Sequence, residues 1–113
     1  MVAKRGTTKY SGDKYEKRVA SRMRWMGFYA IHVCGKSGDM GADVTAIRFP
    51  FCKVVVQCKH YSGNVGVEAV QQVIAAREYY RAHKAIIATN STLTKRAKEL
   101  AHRCGVEVWE RFE

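Results

Sequence analysis

Gln57 and Lys59 stand two residues apart in the run CKVVVQCK (52–59). On an extended strand that spacing puts both side chains on one face, with Cα atoms roughly 6.5 Å apart, so both can address one ligand. The bend at Phe49, Pro50 and Phe51 is expected to fold this run back on ADVTAIR (42–48) as an antiparallel hairpin. Asp43 then lies level with Gln57 or Lys59. A carboxylate, an amide oxygen and an ammonium at one sheet edge suit phosphodiester hydrolysis. Asp43 can hold a divalent cation that polarises the phosphate and activates water, while Lys59 steadies the water or the developing charge. Glu16, further upstream, supplies another carboxylate directly or through water.

The elements that must position these groups follow from the hydrophobic pattern. Tyr15, Val19, Met23 and Met26 recur at helical spacing over 12–26, with Ser11 as cap and Gly27 as stop. FYAIHVC (28–34) and ADVTAIR (42–48) read as strands separated by the turn signal GKSGDMG, and three consecutive valines make CKVVVQCK a central strand covered on both sides. A second helix is expected over 65–81, a buried strand over 84–89 and a third helix over 95–104, capped from Asn90, Ser91, Thr92 or Thr94. An edge strand over 106–109 completes the chain. The fold class is therefore α/β, a mixed central sheet flanked by helices in the order α-β-β-β-α-β-α-β. Residues 12–113 form one domain, preceded by a basic tail at 1–11. Asp39 reads as a turn residue rather than a ligand, Gln71 as a helix-2 amide that could face the site but more commonly would be a surface amide, and His60 as pointing to the opposite sheet face from Lys59.

Composition supports a polyanionic partner. The 113 residues carry 20 Lys and Arg against 10 Asp and Glu, a formal charge of +10. Eight of these basic residues and only two acidic ones fall within 1–24, and Lys14, Arg18 and Arg22 form one i, i+4 row on the first helix. Such clustering gains affinity for nucleic acid by displacing condensed counterions. The 47% hydrophobic content argues against a disordered polycation. No run is long and apolar enough for a membrane span or a secretion signal, so a soluble cytoplasmic protein is expected. Cys34, Cys52, Cys58 and Cys104 form no C-x-x-C pair and read as free thiols rather than zinc ligands or disulfides.

The segments GDKYEKRVA (12–20), SGDMGADV (37–44) and VVVQCKHYSGNVGVEAVQQV (54–73) together resemble the Mrr-type restriction endonuclease domain of the PD-(D/E)xK nuclease superfamily. The likeness extends over about 12–109. It implies a restriction-endonuclease-like α-β-β-β-α-β core, with the family's acidic motif residue on Asp43, its Q-x-K motif on Gln57 and Lys59, and its N-terminal helix glutamate on Glu16. It also implies hydrolysis of DNA with Mg²⁺, or Mn²⁺ in its place, held by Asp43 and Gln57. Most of the superfamily has a carboxylate where Gln57 stands, whereas the Mrr branch commonly carries Gln; weaker metal binding is the expected consequence. Archaeal Holliday junction resolvases are similar in size and helix-first layout but usually have Glu there. The RecB-like branch adds Q-x-x-x-Y, and here Gln71 and Gln72 are followed four residues later by Ala75 and Ala76. The functional expectation is thus a Mg²⁺-dependent DNA endonuclease. A Holliday junction resolvase-type structure-selective nuclease and a non-catalytic DNA-binding module on the same fold are the alternatives. A homodimer is expected, because cutting both strands needs two sites. A separate DNA-recognition subunit is also expected, since Mrr-type enzymes normally carry a recognition domain for which 113 residues leave no space.

Overall fold

The computed structural model describes residues 2–34 and 39–113, with side chains described for 14–34 and 40–113. Its elements are α1 (Val2–Trp25), β1 (Tyr29–Val33), a short 3₁₀ turn (Asp39–Gly41), β2 (Val44–Arg48), β3 (Cys52–Lys59), α2 (Val67–Tyr80), β4 (Lys84–Thr89), α3 (Lys95–Arg103) and β5 (Val106–Trp109). The five strands form one sheet in the order β1-β2-β3-β4-β5. The first three run antiparallel; β4 and β5 join parallel to β3. This division follows from the connections. The Pro50 bend can return the chain only as a hairpin, whereas parallel pairing needs the long crossovers that α2 and α3 provide.

The valine run explains the layering. Val54 and Val56 point to the α1 face, where they meet Tyr15, Val19, Met23 and Phe28 together with Ile86 and Ala88. Val55 points the other way and joins Val70, Val73, Ala76, Ile87, Leu93 and Ala97 beneath α2 and α3. All three valines are fully buried, each contributing about 1.5–3 kcal/mol of transfer free energy. The restriction-endonuclease-like order read from the sequence is the order observed.

Two expectations for the first helix need correction. It begins at Val2 rather than near residue 12; Ser11 and Gly12 lie within it, because helix-interior Ser and Gly cost only about 0.5–1 kcal/mol each. It ends at Trp25, so Met26 falls beyond the last turn and is half exposed while Tyr15, Val19 and Met23 are buried. Thr94 does cap α3, its hydroxyl accepting from the Ala97 N–H at 3.1 Å. The four cysteines are unbridged. Among the described residues no helix is long and apolar enough to cross a membrane.

Candidate active site

The hairpin register pairs Val44 with Val56, and one step further outward Asp43 comes beside the end of β3. The backbone clamps it there. Cys34 N–H donates to the Asp43 carbonyl and Asp43 N–H donates to the Val56 carbonyl, both at 2.8 Å. The carboxylate itself accepts from the Cys58 N–H at 2.8 Å. One oxygen of Asp43 is thus oriented by the residue that separates Gln57 from Lys59.

Gln57 is 5% exposed. Its amide nitrogen donates to the Gly41 carbonyl at 2.7 Å and lies 3.5 Å from the Gln72 side-chain oxygen. Two acceptors on that side require the NH₂ group there, so the amide oxygen is the atom this residue can offer to a cation. The arrangement depends on Gly41, which adopts φ +79°; a Cβ there would come within 2.4 Å of the Gln72 backbone oxygen. Only glycine lets the turn approach α2 so closely. A depression of about 370 Å³ opens here, lined by Met40, Gly41, Gln57, Gln72 and Ala75.

Lys59 ends β3 opposite Thr89 of β4, at the carboxyl ends of the two parallel strands, where open α/β sheets bind ligands. Its ammonium lies 5.7 Å from the Tyr61 ring centroid. Glu16 enters from the other layer. The preceding residue, Tyr15, packs its ring 5.2 Å from that of His60, which fixes this turn of α1 to the end of β3 and gives His60 the opposite-face role expected of it. Burial, then Asp43, then Glu16 push the thiols of both Cys34 and Cys58 above their ordinary values. Both carboxylates therefore act on the same two thiols, and those thiols stay protonated. The donors that remain are hard oxygens from Asp43, Glu16 and the Gln57 amide, a set that fits Mg²⁺ or Mn²⁺ rather than a thiolate-seeking metal. Among the described residues no group of three His, Cys, Asp or Glu is placed to hold an ion.

Gln72, not Gln71, is the helix-2 amide beside Gln57. Gln71 lines a groove with Arg96, Glu99 and Arg103 of α3. Helical periodicity identifies the buried row of Val70, Val73 and Ala76, but which flank of that row faces the site depends on where α3 lies. The basic row also has neighbours that the sequence does not reveal. Arg18 lies 3.8 Å from the Glu113 carboxylate, while Arg22 donates to the Glu113 carbonyl and stacks 5.0 Å from the Phe112 ring centroid. Lys14 is exposed. The Asp39 side chain lies outside the described residues.

Solved structures share this architecture. One, a protein of unknown function, superposes with a TM-score of 0.71 at 19% identity, over 84% of this chain and 55% of its own. EndoMS in its apo form gives 0.56 at 19% identity, over 83% and 46%. A repair endonuclease from Pyrococcus abyssi gives 0.50 at 26% identity, over 61% and 31%. The chain thus spans about half or less of the length of these proteins. No curated protein matches the sequence. The family model for a restriction endonuclease, the Mrr catalytic domain, matches residues 7–113, and the chain belongs to that family.

Proposed function

We propose that this chain is a Mg²⁺-dependent DNA endonuclease, with Mn²⁺ as an alternative cation, in which Glu16, Asp43, Gln57 and Lys59 form the catalytic set. The observation that carries the reading is the Asp43 carboxylate locked by the Cys58 N–H beside a Gln57 whose nitrogen is already engaged at Gly41. Asp43 and the Gln57 amide oxygen would hold the cation, with Glu16 in support through water. When bound, that cation polarises the phosphate and lowers the pKa of water. Lys59, on the same strand face as Gln57, places a positive charge where the phosphate becomes more negative. Lys14, Arg18 and Arg22 contact DNA phosphates, so binding is sequence-tolerant and falls with salt. Residues 12–113 are the endonuclease domain, preceded by the basic segment 1–11. The enzyme works as a homodimer, since cutting both strands needs two sites.

Support comes from family membership, from the net charge of +10 and from the likeness to EndoMS, which has been solved in complex with double-stranded DNA. The test is incubation with linear duplex, single-stranded, flap and four-way-junction DNA in Mg²⁺, Mn²⁺ or EDTA. Cleavage in either metal and none in EDTA is expected. Cleavage that survives EDTA, or none on any DNA in either metal, would refute the reading; cutting confined to the junction would favour a resolvase.

A further inference from the structure

The segment after Lys59 is held by a second loop. Asn90, the first residue after β4, spends both ends of its side-chain amide on the backbone of one residue: Oδ1 accepts from the Tyr61 N–H at 2.8 Å, and Nδ2 donates to the Tyr61 carbonyl at 2.9 Å. The pairing continues along the two loops. Asn64 Nδ2 donates to Thr92 Oγ1 at 2.8 Å, Val65 N–H donates to the Thr92 carbonyl, and Thr94 N–H donates to the Val65 carbonyl, both at 2.9 Å. Val65 and Leu93 are buried, so the far rungs anchor the fold. The Asn90 rung holds Tyr61, which is 40% exposed and outside both core clusters. What it does fix is the ring beside the Lys59 ammonium.

We propose that Asn90 is a positioning residue for phosphodiester cleavage. By clamping the Tyr61 backbone it sets the ring against which the Lys59 ammonium rests, and so holds that charge at the scissile phosphate. A lysine has a long flexible stem and settles only where something holds it; the face of an aromatic ring does so electrostatically. The inference rests on the endonuclease reading above.

Steady-state cleavage of linear duplex in Mg²⁺ tests it, using the parent, Asn90→Ala, Tyr61→Ala and the double variant. Asn90→Ala should lower kcat about tenfold with KM changed less than about twofold. Tyr61→Ala should do the same. Adding Asn90→Ala to Tyr61→Ala should cost less than about a further twofold, because the two residues act through one path. The isosteric Asn90→Asp keeps the acceptor for the Tyr61 N–H, loses the donor to its carbonyl, and should lower kcat in the same direction. An unchanged kcat, a rise in KM alone, or the same tenfold loss in the Tyr61→Ala background would overturn the proposal. So would thermal melts showing neither Asn90 variant folded at the assay temperature, since Asn90 would then be a folding determinant. A parent that cuts while the Asn90 variants cut equally well removes this inference and leaves the endonuclease reading standing. A parent that cuts nothing in Mg²⁺ or Mn²⁺ removes both.

Discussion

At one end of the sheet, where β2 finishes and β5 starts, Arg48 and Glu107 meet through two hydrogen bonds of 3.1 and 2.8 Å. The Trp109 indole donates to the same carboxylate at 2.9 Å, and the guanidinium lies 5.1 Å from the Phe28 ring centroid. At the other end, Asp43 and Glu16 bring like charges close enough to raise the same two thiols, and a buried amide lies beside them. The first arrangement cancels charge and ties β2 to β5 across the two strands between them. The second sets two carboxylates near the same two thiols, with the Lys59 ammonium acting on Cys58 in the opposite sense, the mixed environment that the proposed catalytic site would use. Removing a charge should therefore cost activity at one end and stability at the other.

The largest effect is expected from Asp43→Asn. Its amide oxygen can still accept from the Cys58 N–H, so the fold should persist with a melting temperature within a few degrees of the parent. Cleavage should fall about a thousandfold, roughly 4 kcal/mol of transition-state stabilisation. Comparable loss of cutting in Glu107→Gln would erase the distinction between the two ends.

Gln57→Glu should show a smaller effect of mixed sign. The variant loses the donor to Gly41 and sets a carboxylate against that carbonyl and the Gln72 oxygen, costing about 1–3 kcal/mol without metal. An anionic oxygen binds a hard cation better than a neutral one, so millimolar Mg²⁺ should recover the loss, and cleavage should continue. Thermal melts across a Mg²⁺ titration decide it: a variant destabilised at every concentration, with no greater Mg²⁺ response than the parent, would make Gln57 a structural amide.

What the sequence disclosed divides along the same line. The hairpin, the doubly covered valine strand and the level of Asp43 with Gln57 follow from Pro50, alternation and register, all local in the chain. Gln72, the clamp on Gly41 and the attachment of Arg18 and Arg22 to residues 112 and 113 depend on how distant segments meet. Tyr15 shows the boundary clearly: its burial is legible from helical spacing, but its hydroxyl bond to the Phe112 carbonyl at 2.7 Å, across 97 residues, is not. Trp25, the last residue of α1, is 87% exposed, so helical spacing alone does not tell which aromatic residues enter the core.

Glu16→Gln tests the nearness of Glu16 to these thiols without relying on catalysis. Glu16 is among the causes that hold the Cys34 thiol up, after burial and Asp43. Removing its charge should lower that thiol and raise its alkylation rate at pH 8 by about two- to threefold. Asp43→Asn should raise it further, while Cys104, near the end of α3, should label as in the parent. Mass spectrometry of each cysteine after a timed iodoacetamide pulse reads the outcome, and an unchanged Cys34 rate would place Glu16 outside the site.

The smallest effect concerns the opposite end. The two-pronged bond from Arg48 holds the Glu107 carboxyl below its ordinary range, burial opposing and the Trp109 indole assisting. A carboxyl lowered by folding stabilises the native state above its unfolded pKa, near pH 4.3, and that contribution is lost as pH falls through the lower native value. Arg48 keeps its charge throughout, so the window belongs to Glu107. The two side chains are 36% and 30% exposed, and screening limits the contribution to about 1 kcal/mol. Glu107→Gln keeps the shape and removes the charge. It should melt about 4 °C below the parent at pH 7, the two curves should converge below pH 4, and cleavage at pH 7 should stay within about twofold of the parent. A gap of the same size at pH 3 and pH 7 would mean that this end is held by shape and hydrogen bonding alone, and the contrast in charge between the two ends would lose one of its halves.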